Sequence, residues 1–255
     1  MPEATAYIGV DITAGKRPAT LAVLDEHLRI VELADLPFAE VVTHIEAFPR
    51  AVCAIDASSG VNAGLMASPD YRTRLNLEAG KRRYHTYRVC EFELRRRGIG
   101  IYNTPVDSAQ AKGWMQEGWR LYNALRHRGF VLYPEDGHRR MFETHPHGVF
   151  TALIRKIPYA KSTLEGRLQR QAILFEQGVD VTDPMDIIDE WTRYHLMNGQ
   201  IDLAEVLTHD RLDALAAAYT AWMVGREPER TCALGDLREG QIVLPVARLL
   251  DSYTA

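Results

Sequence analysis

The sequence predicts an α/β fold in which helices flank a mixed β-sheet and a helical insertion follows the first strands. Two short apolar runs, AYIGVDI (6–12) and AVCAIDAS (51–58), are typical of buried strands, and each carries an aspartate near its end. A helical pattern separates them. Strand–helix–strand units favour parallel pairing in a sheet that helices cover.

The first third of the chain divides into five predicted elements. AYIGVDI forms the first strand. ATLAVLDEHLRIVEL (19–33) reads as two β-rich runs around DEH and predicts a hairpin. FAEVVTHIEAF (38–48) has helical spacing of its apolar residues, and AVCAIDAS follows as the fourth strand.

The rest of the chain is predicted to be mainly helical. An insertion is expected at about 58–110, with a helix-compatible pattern over 82–97 that ends at Gly98 and an extended segment that ends at Pro105. MFETHPHGVF predicts a short strand that ends at Glu143. Helices are expected at 111–129, from about Pro146, at 163–177, at 184–198 and at 208–224. Those within about 146–207 are additions to the basic fold. The stretch CALGDLREGQIVLP is expected to form a closing hairpin.

Length and composition favour one cytoplasmic domain spanning residues 1–255. The chain has 255 residues and a net charge of −4, and it has no long apolar run that would span a membrane. Its start lacks the basic-then-apolar pattern of a signal peptide. Three scattered cysteines fit a reducing compartment better than a disulfide framework.

Four aspartates form the main candidate site. Asp11 and Asp56 each end an apolar strand, and the carboxyl ends of strands form the ligand crevice of open α/β sheets. The last predicted helix carries two more acids on a small-residue face that allows close approach to the sheet. That face consists of Asp210, Asp213, Ala214, Ala217, Thr220 and Ala221.

Carboxylates crowded in this way need a compensating cation. Hard oxygen ligands favour Mg²⁺ or Mn²⁺, and two such ions would support phosphodiester hydrolysis. A structural alternative stays open for each acid: Asp11 and Asp56 could cap turns, and Asp210 could interact with the helix N-terminus. Asp213 lies a turn further in, so capping explains it poorly.

Glu143 and three histidines are secondary candidates. Glu143 could be a further ligand or could orient the site, or it could simply answer a nearby arginine. His209 could shuttle protons or be merely exposed. His145 and His147 suggest zinc only weakly, since no matching ligand pair is evident.

The basic stretch KRRYHTYRVCEFELRRRG (81–98) is the candidate substrate-binding surface. Arg88 and Arg95 lie two turns apart on one face of the predicted helix, with Arg96 beside them, and arginine grips phosphate bidentately. The alternative is a solvated face with a Glu91–Arg95 pair. Trp114 and its neighbours are expected in the core or an interface rather than stacked on bases.

Several stretches together resemble a known family. YIGVD, AIDAS, YRVCEFELRRRGIGIYNTP, FETHPHGVF, HDRLDALAAAYTA and LGDLREGQIVLP resemble a bacterial and archaeal family described as predicted RNase-H-like nucleases, a domain of unknown function in the ribonuclease H superfamily. The last helix is similar to that of Holliday-junction resolvases. The resemblance implies an RNase-H-like sheet, a nucleic-acid partner (RNA, DNA or hybrid), and a Mg²⁺ or Mn²⁺ site on Asp11, Asp56 and Asp213, with Asp210 beside it. It allows a homodimer.

One residue departs from the resolvase pattern, which commonly has glutamate where this chain has Asp56. The shorter side chain would alter the spacing of bound metal ions. Two other function classes remain open. GVDITAGKRPATLAVLD resembles the first phosphate loop of sugar kinases and actin-like phosphotransferases, although no second Gly-rich loop follows. A non-catalytic binding or scaffold protein could also use this fold.

Overall fold

The computed structural model describes residues 5–15, 17–77 and 84–254. These residues form a mixed sheet of eight strands. The strands are β1 (Ala6–Asp11), β2 (Ala19–Leu24), β3 (Ile30–Leu36), β4 (Ala51–Asp56), β5 (Val131–Leu132), β6 (Arg139–Glu143), β7 (Cys232–Asp236) and β8 (Gly240–Leu244). Their order across the sheet is β3-β2-β1-β4-β6-β8-β7, and β5 pairs with β6.

Helices pack on both faces of this sheet. They are α1 (Phe38–Glu46), α2 (Pro69–Arg74), α3 (Val89–Arg95), α4 (Gly113–Arg126), α5 (Pro146–Ile154), α6 (Leu164–Glu176), α7 (Pro184–Asp189), α8 (Arg193–Met197) and α9 (His209–Arg226). One apolar core joins α9, α5 and α6 to the sheet, and a second core joins α1 and α4 to the other face. No helix formed by the described residues is long and apolar enough to cross a membrane.

The predicted α/β architecture is confirmed, and the sheet is consistent with an RNase-H-like fold. β1, β2 and β3 form an antiparallel meander, while β4, β6 and β8 continue parallel to β1. β7 and β8 form the predicted closing hairpin. Because β1, β4 and β6 run in the same direction, their carboxyl ends meet at one edge of the sheet.

The close approach of α9 to the sheet depends on small residues on both sides. A Cβ atom at Gly9 of β1 would lie 2.0 Å from the carbonyl oxygen of Ala214 and 2.3 Å from the amide nitrogen of Ala218. The helix begins at a side-chain cap, since the Thr208 hydroxyl accepts from the amide of Arg211. The alanine face expected from the sequence therefore lies directly against β1.

Two predicted helices differ from the structure. The helix expected over 82–97 begins only at Val89, because Arg88 has an extended backbone, and positions 82–83 lie outside the described residues. The helix expected over 184–198 divides into α7 and α8, since Thr192 caps a new start. The segment expected to be extended before Pro105 forms no strand, and α2 lies within the expected insertion.

Candidate active site

All four predicted aspartates line one cleft at the carboxyl edge of the sheet. Asp11 and Asp56 are register partners on the adjacent parallel strands β1 and β4, and strands in a sheet are about 4.8 Å apart. Asp213 reaches the same cleft from α9. The cleft has a volume of about 1000 Å³. The arrangement expected from the strand ends and the last helix is the one that the fold produces.

The cluster holds an excess of negative charge. Burial raises the pKa of Asp11 well above its usual value, and the neighbouring carboxylates of Asp56 and Asp213 raise it further. Burial also raises the pKa of Asp213. Such shifts mean that ionising these carboxyls is costly unless a cation stands beside them, and they are typical of functional sites.

Lys161, which no sequence pattern indicates, supplies such a cation. Its Nζ lies 2.5 Å from Oδ2 of Asp213. Burial alone would lower the Lys161 pKa, but the carboxylates of Asp213 and Asp11 raise it. The residue lies in the loop between α5 and α6, 52 positions before its partner. No local sequence pattern marks a contact of that separation.

Asp210 lines the same cleft, where its charge helps to raise the pKa of the buried Asp11, but it also has partners of its own. Its Oδ1 lies 2.8 Å from Nδ1 of His209, and its Oδ2 lies 3.7 Å from a guanidinium nitrogen of Arg17. The side chain is partly exposed, unlike that of Asp213. Asp210 therefore lines the cleft at its rim, where it is joined to two cationic or titratable side chains.

His145 lies against Asp56. Its Nε2 is 2.8 Å from the carbonyl oxygen of Gly100, which can only accept, so Nε2 carries the proton. Nδ1 lies 3.8 Å from Oδ1 of Asp56. Burial would lower the His145 pKa, but the contact with Asp56 reverses this and leaves the pKa raised. His145 thus links the carboxylate of β4 to the 99–104 loop.

Glu143 is a buried acceptor with its partners already in place. It ends β6, and its carboxylate accepts bonds from the amide and hydroxyl of Ser59 at 2.8 Å and 3.1 Å. Arg88 donates to both carboxylate oxygens, at 2.9 Å and 2.5 Å. Of the two interpretations offered by the sequence, this geometry matches the second, in which Glu143 forms an ion pair with a nearby arginine.

Arg88 is buried rather than displayed on a helix face. Its Nε donates to Glu91 at 2.8 Å, and its Nη1 also donates to the backbone carbonyl of Glu239. Glu91 in turn accepts from the amide and hydroxyl of Thr104, so the expected pair with Arg95 is replaced. These contacts direct Arg88 toward the protein's own carboxylates.

The other two arginines of the predicted surface are exposed. Arg95 lines the cleft, whereas Arg96 pairs with Glu93 at 2.9 Å and lies 5.8 Å from the ring of Phe92. The structure therefore separates the three predicted substrate-binding arginines. Arg88 belongs to a buried network in the wall of the cleft, Arg95 is exposed at the cleft, and Arg96 pairs with Glu93.

The donor chemistry of the cleft fits a hard divalent cation. Asp11, Asp56 and Asp213 offer carboxylate oxygens, which Mg²⁺ and Mn²⁺ prefer. Within residues 5–15, 17–77 and 84–254, no three His, Cys, Asp or Glu side chains are already arranged as a metal-binding group. The ammonium of Lys161 occupies the neighbourhood of Asp213, so a cation ligated by Asp213 would have to compete with it.

Comparison with known proteins places the chain in a family. No curated protein and no solved structure matches it. One family model, described as "Protein of unknown function (DUF429)", matches residues 9–238. That match covers most of the chain, including every aspartate of the cleft, and the chain therefore belongs to the DUF429 family.

Proposed function

We propose that this protein is a metal-dependent nuclease of the ribonuclease H superfamily that hydrolyses phosphodiester bonds of nucleic acid. The observation that carries the proposal is the convergence of Asp11, Asp56 and Asp213 at one edge of the sheet. The three acids come from two adjacent strands and a helix, and burial together with the other two carboxylates raises the pKa of Asp11, so a bound cation would stabilise the site.

The three carboxylates would hold Mg²⁺ or Mn²⁺. Bound ions of this kind activate a water molecule and stabilise the leaving oxygen of a phosphodiester. His145, which bonds to the carbonyl of Gly100, lies 3.8 Å from the carboxylate of Asp56. Glu143 and Arg88 support the same edge of the sheet from inside the protein.

Cationic side chains at the cleft suit a polyanionic substrate. Arg17, Arg95, Lys112 and Lys161 all line it, although the whole chain is mildly acidic. Lysine and arginine neutralise backbone phosphates, which supplies affinity without regard to base sequence. Cationic side chains and carboxylates therefore line the same cleft, and one of the cations, Lys161, contacts Asp213 directly.

Hydrolysis assays with matched variants test the proposal. The purified protein is incubated with Mg²⁺ or Mn²⁺ and with single-stranded and duplex DNA and RNA, hybrid and branched substrates. Cleavage is expected for the wild type and is expected to fall to background for Asp11→Asn and Asp213→Asn. Asp186→Asn, at an exposed position on α7, is the control and should remain active. The absence of cleavage from every substrate, or full activity in the two site variants, would refute the proposal.

A non-catalytic nucleic-acid-binding role is the second candidate. The Lys161–Asp213 pair favours it, because this contact balances part of the acidic charge without a metal ion. In that case Asp11→Asn and Asp213→Asn would leave cellular function unchanged. A homodimer, which the resemblance allows, and a cytoplasmic location, which the sequence predicts, remain part of the proposal, and light scattering on the purified protein tests the first.

A further inference from the structure

Two tyrosines at the cleft expose rings that the acidic cluster does not explain. Tyr102 is 64% exposed and Tyr159 is 58% exposed, and both line the same cleft as Asp11 and Asp213. They belong to different loops, residues 99–104 and residues 155–163. A single exposed apolar side chain needs no explanation, but two exposed aromatic rings that line one cleft can mark a ligand-binding groove.

The backbone that carries Tyr102 is anchored from both ends of its loop. His145 bonds to the carbonyl of Gly100, and Asn62 donates to the carbonyl of Thr104 at 2.9 Å. The amide of Thr104 also donates to Glu91. The ring is therefore held out on a fixed main chain, which lowers the entropic cost of binding a ligand.

The backbone of Tyr159 is fixed in a comparable way. The buried Arg170 donates to the carbonyl oxygen of Tyr159 at 2.8 Å, and the amide of Tyr159 donates to the side chain of Gln169 at 2.8 Å. The ring itself remains in solvent. Both tyrosines thus combine an ordered main chain with an open aromatic face.

Tyr102 also has a cationic neighbour in the cleft. The Nζ of Lys112 lies 4.0 Å from the ring centroid of Tyr102, and the half-buried Trp114 lies 6.2 Å from the same ring. Lys161 follows Tyr159 by two residues in its loop. Aromatic rings paired with cations are the combination by which proteins bind unpaired nucleotides, with bases stacked on rings and phosphates on ammonium groups.

We infer that the cleft binds single-stranded nucleic acid, with unpaired bases stacked on Tyr102 and Tyr159 beside the acidic floor. The inference rests on the proposed function for the class of polymer and adds its strandedness. In a duplex the bases are stacked on one another, so their faces cannot reach rings at the protein surface. Sequence reasoning overlooked both tyrosines because neither lies in a periodic or basic stretch.

Binding without divalent metal ions tests this inference separately from cleavage. Labelled single-stranded and duplex oligonucleotides of one sequence are titrated with the full chain in chelator at fixed salt, and fluorescence anisotropy is recorded. Single strands are expected to bind more tightly than duplexes. Tyr102→Ala and Tyr159→Ala should each weaken single-strand binding about tenfold, in line with the usual contribution of one stacked base.

Three controls identify stacking as the cause. Tyr102→Phe and Tyr159→Phe keep the ring and should keep the affinity. Tyr194→Ala removes a tyrosine of similar exposure, 66%, on α8, which does not line the cleft, and should change nothing. An abasic strand with the same phosphates should bind the wild type and the alanine variants equally.

The outcomes separate the inference from the proposed nuclease function. Equal affinity for duplex and single strand, or unchanged binding by both alanine variants, would overturn the inference even if metal-dependent cleavage is observed. Ring-dependent single-strand binding without cleavage under any metal condition would uphold the inference and remove the nuclease proposal.

Discussion

Replacing Lys161 with glutamine removes the cation that forms an ion pair with Asp213 and keeps a polar side chain of similar length. The Asp213 carboxylate is buried, whereas the Lys161 side chain is 48% exposed. Breaking a fully buried ion pair costs about 3–5 kcal/mol, and exposed pairs contribute about 0–1 kcal/mol. For this half-exposed pair we therefore expect a loss of about 1–2 kcal/mol, or about 2–8 °C in Tm for a domain of this size.

The same substitution should strengthen metal binding. A divalent cation that takes Asp213 as a ligand must displace the ammonium in the wild type but not in Lys161→Gln. Removing that competition should raise metal affinity by about 5- to 30-fold, the equivalent of 1–2 kcal/mol. At about 100 times the dissociation constant, a ligand adds about 2.7 kcal/mol of stability. Metal should therefore restore the stability that the variant lacks.

Thermal unfolding over a Mn²⁺ titration measures both effects in one experiment. The variant should melt earlier than the wild type in chelator, and its Tm should rise at lower Mn²⁺ concentrations. Lys156→Gln, at an exposed position in the same loop, is the control and should behave as the wild type. An equal or weaker apparent Mn²⁺ affinity in Lys161→Gln would refute the reasoning that this lysine and the metal compete for one site.

Three further substitutions probe the supports of the cleft. Burial and neighbouring carboxylates raise the folded-state pKa of Asp11, so the wild type gains stability as pH falls through that pKa. Asp11→Asn should therefore raise the metal-free Tm at neutral pH. In mild acid this difference in Tm should vanish. A pH-independent difference in thermal melts would contradict this. Arg88→Met leaves two buried glutamates without their cation and should lower the free energy of unfolding in urea by about 3–5 kcal/mol. Arg96→Ala should lower it by under about 1 kcal/mol. Equal losses would argue against the buried network. Gly9→Ala forces α9 away from β1 and should destabilise by about 1–3 kcal/mol, and an unchanged urea midpoint would show that the helix can yield freely.

Local patterns were sufficient to predict most of the sheet. Apolar runs that end in acid identify β1 and β4, and turn residues between β-rich runs identify the β2–β3 and β7–β8 hairpins. The face of α9 could be read because small residues recur with helical period. In each case the relevant neighbours are close in sequence, or the pattern itself reports which face is buried.

The parts that could not be predicted depend on contacts between distant residues. Arg88 reads as one more cation in a basic stretch, yet its partner Glu143 lies 55 positions away and its other acceptor, the carbonyl of Glu239, lies 151 positions away. Lys161 lies in a loop, and its partner Asp213 is 52 positions away. Helical periodicity placed Arg88 on an exposed face because the pattern cannot report a buried carboxylate contributed by another strand.

These distant contacts give the insertion a definite relation to the site. Arg88 joins it to Glu143 at the end of β6, and Gly100 joins it through His145 to Asp56 at the end of β4. Tyr102 projects into the cleft from the same loop as Gly100. A substitution that loosens the Arg88 anchor should therefore disturb two properties together, the position of the Asp56 carboxylate and the stacking platform. Arg88→Met would then reduce both metal affinity and single-strand affinity, whereas Tyr102→Ala would reduce only the second.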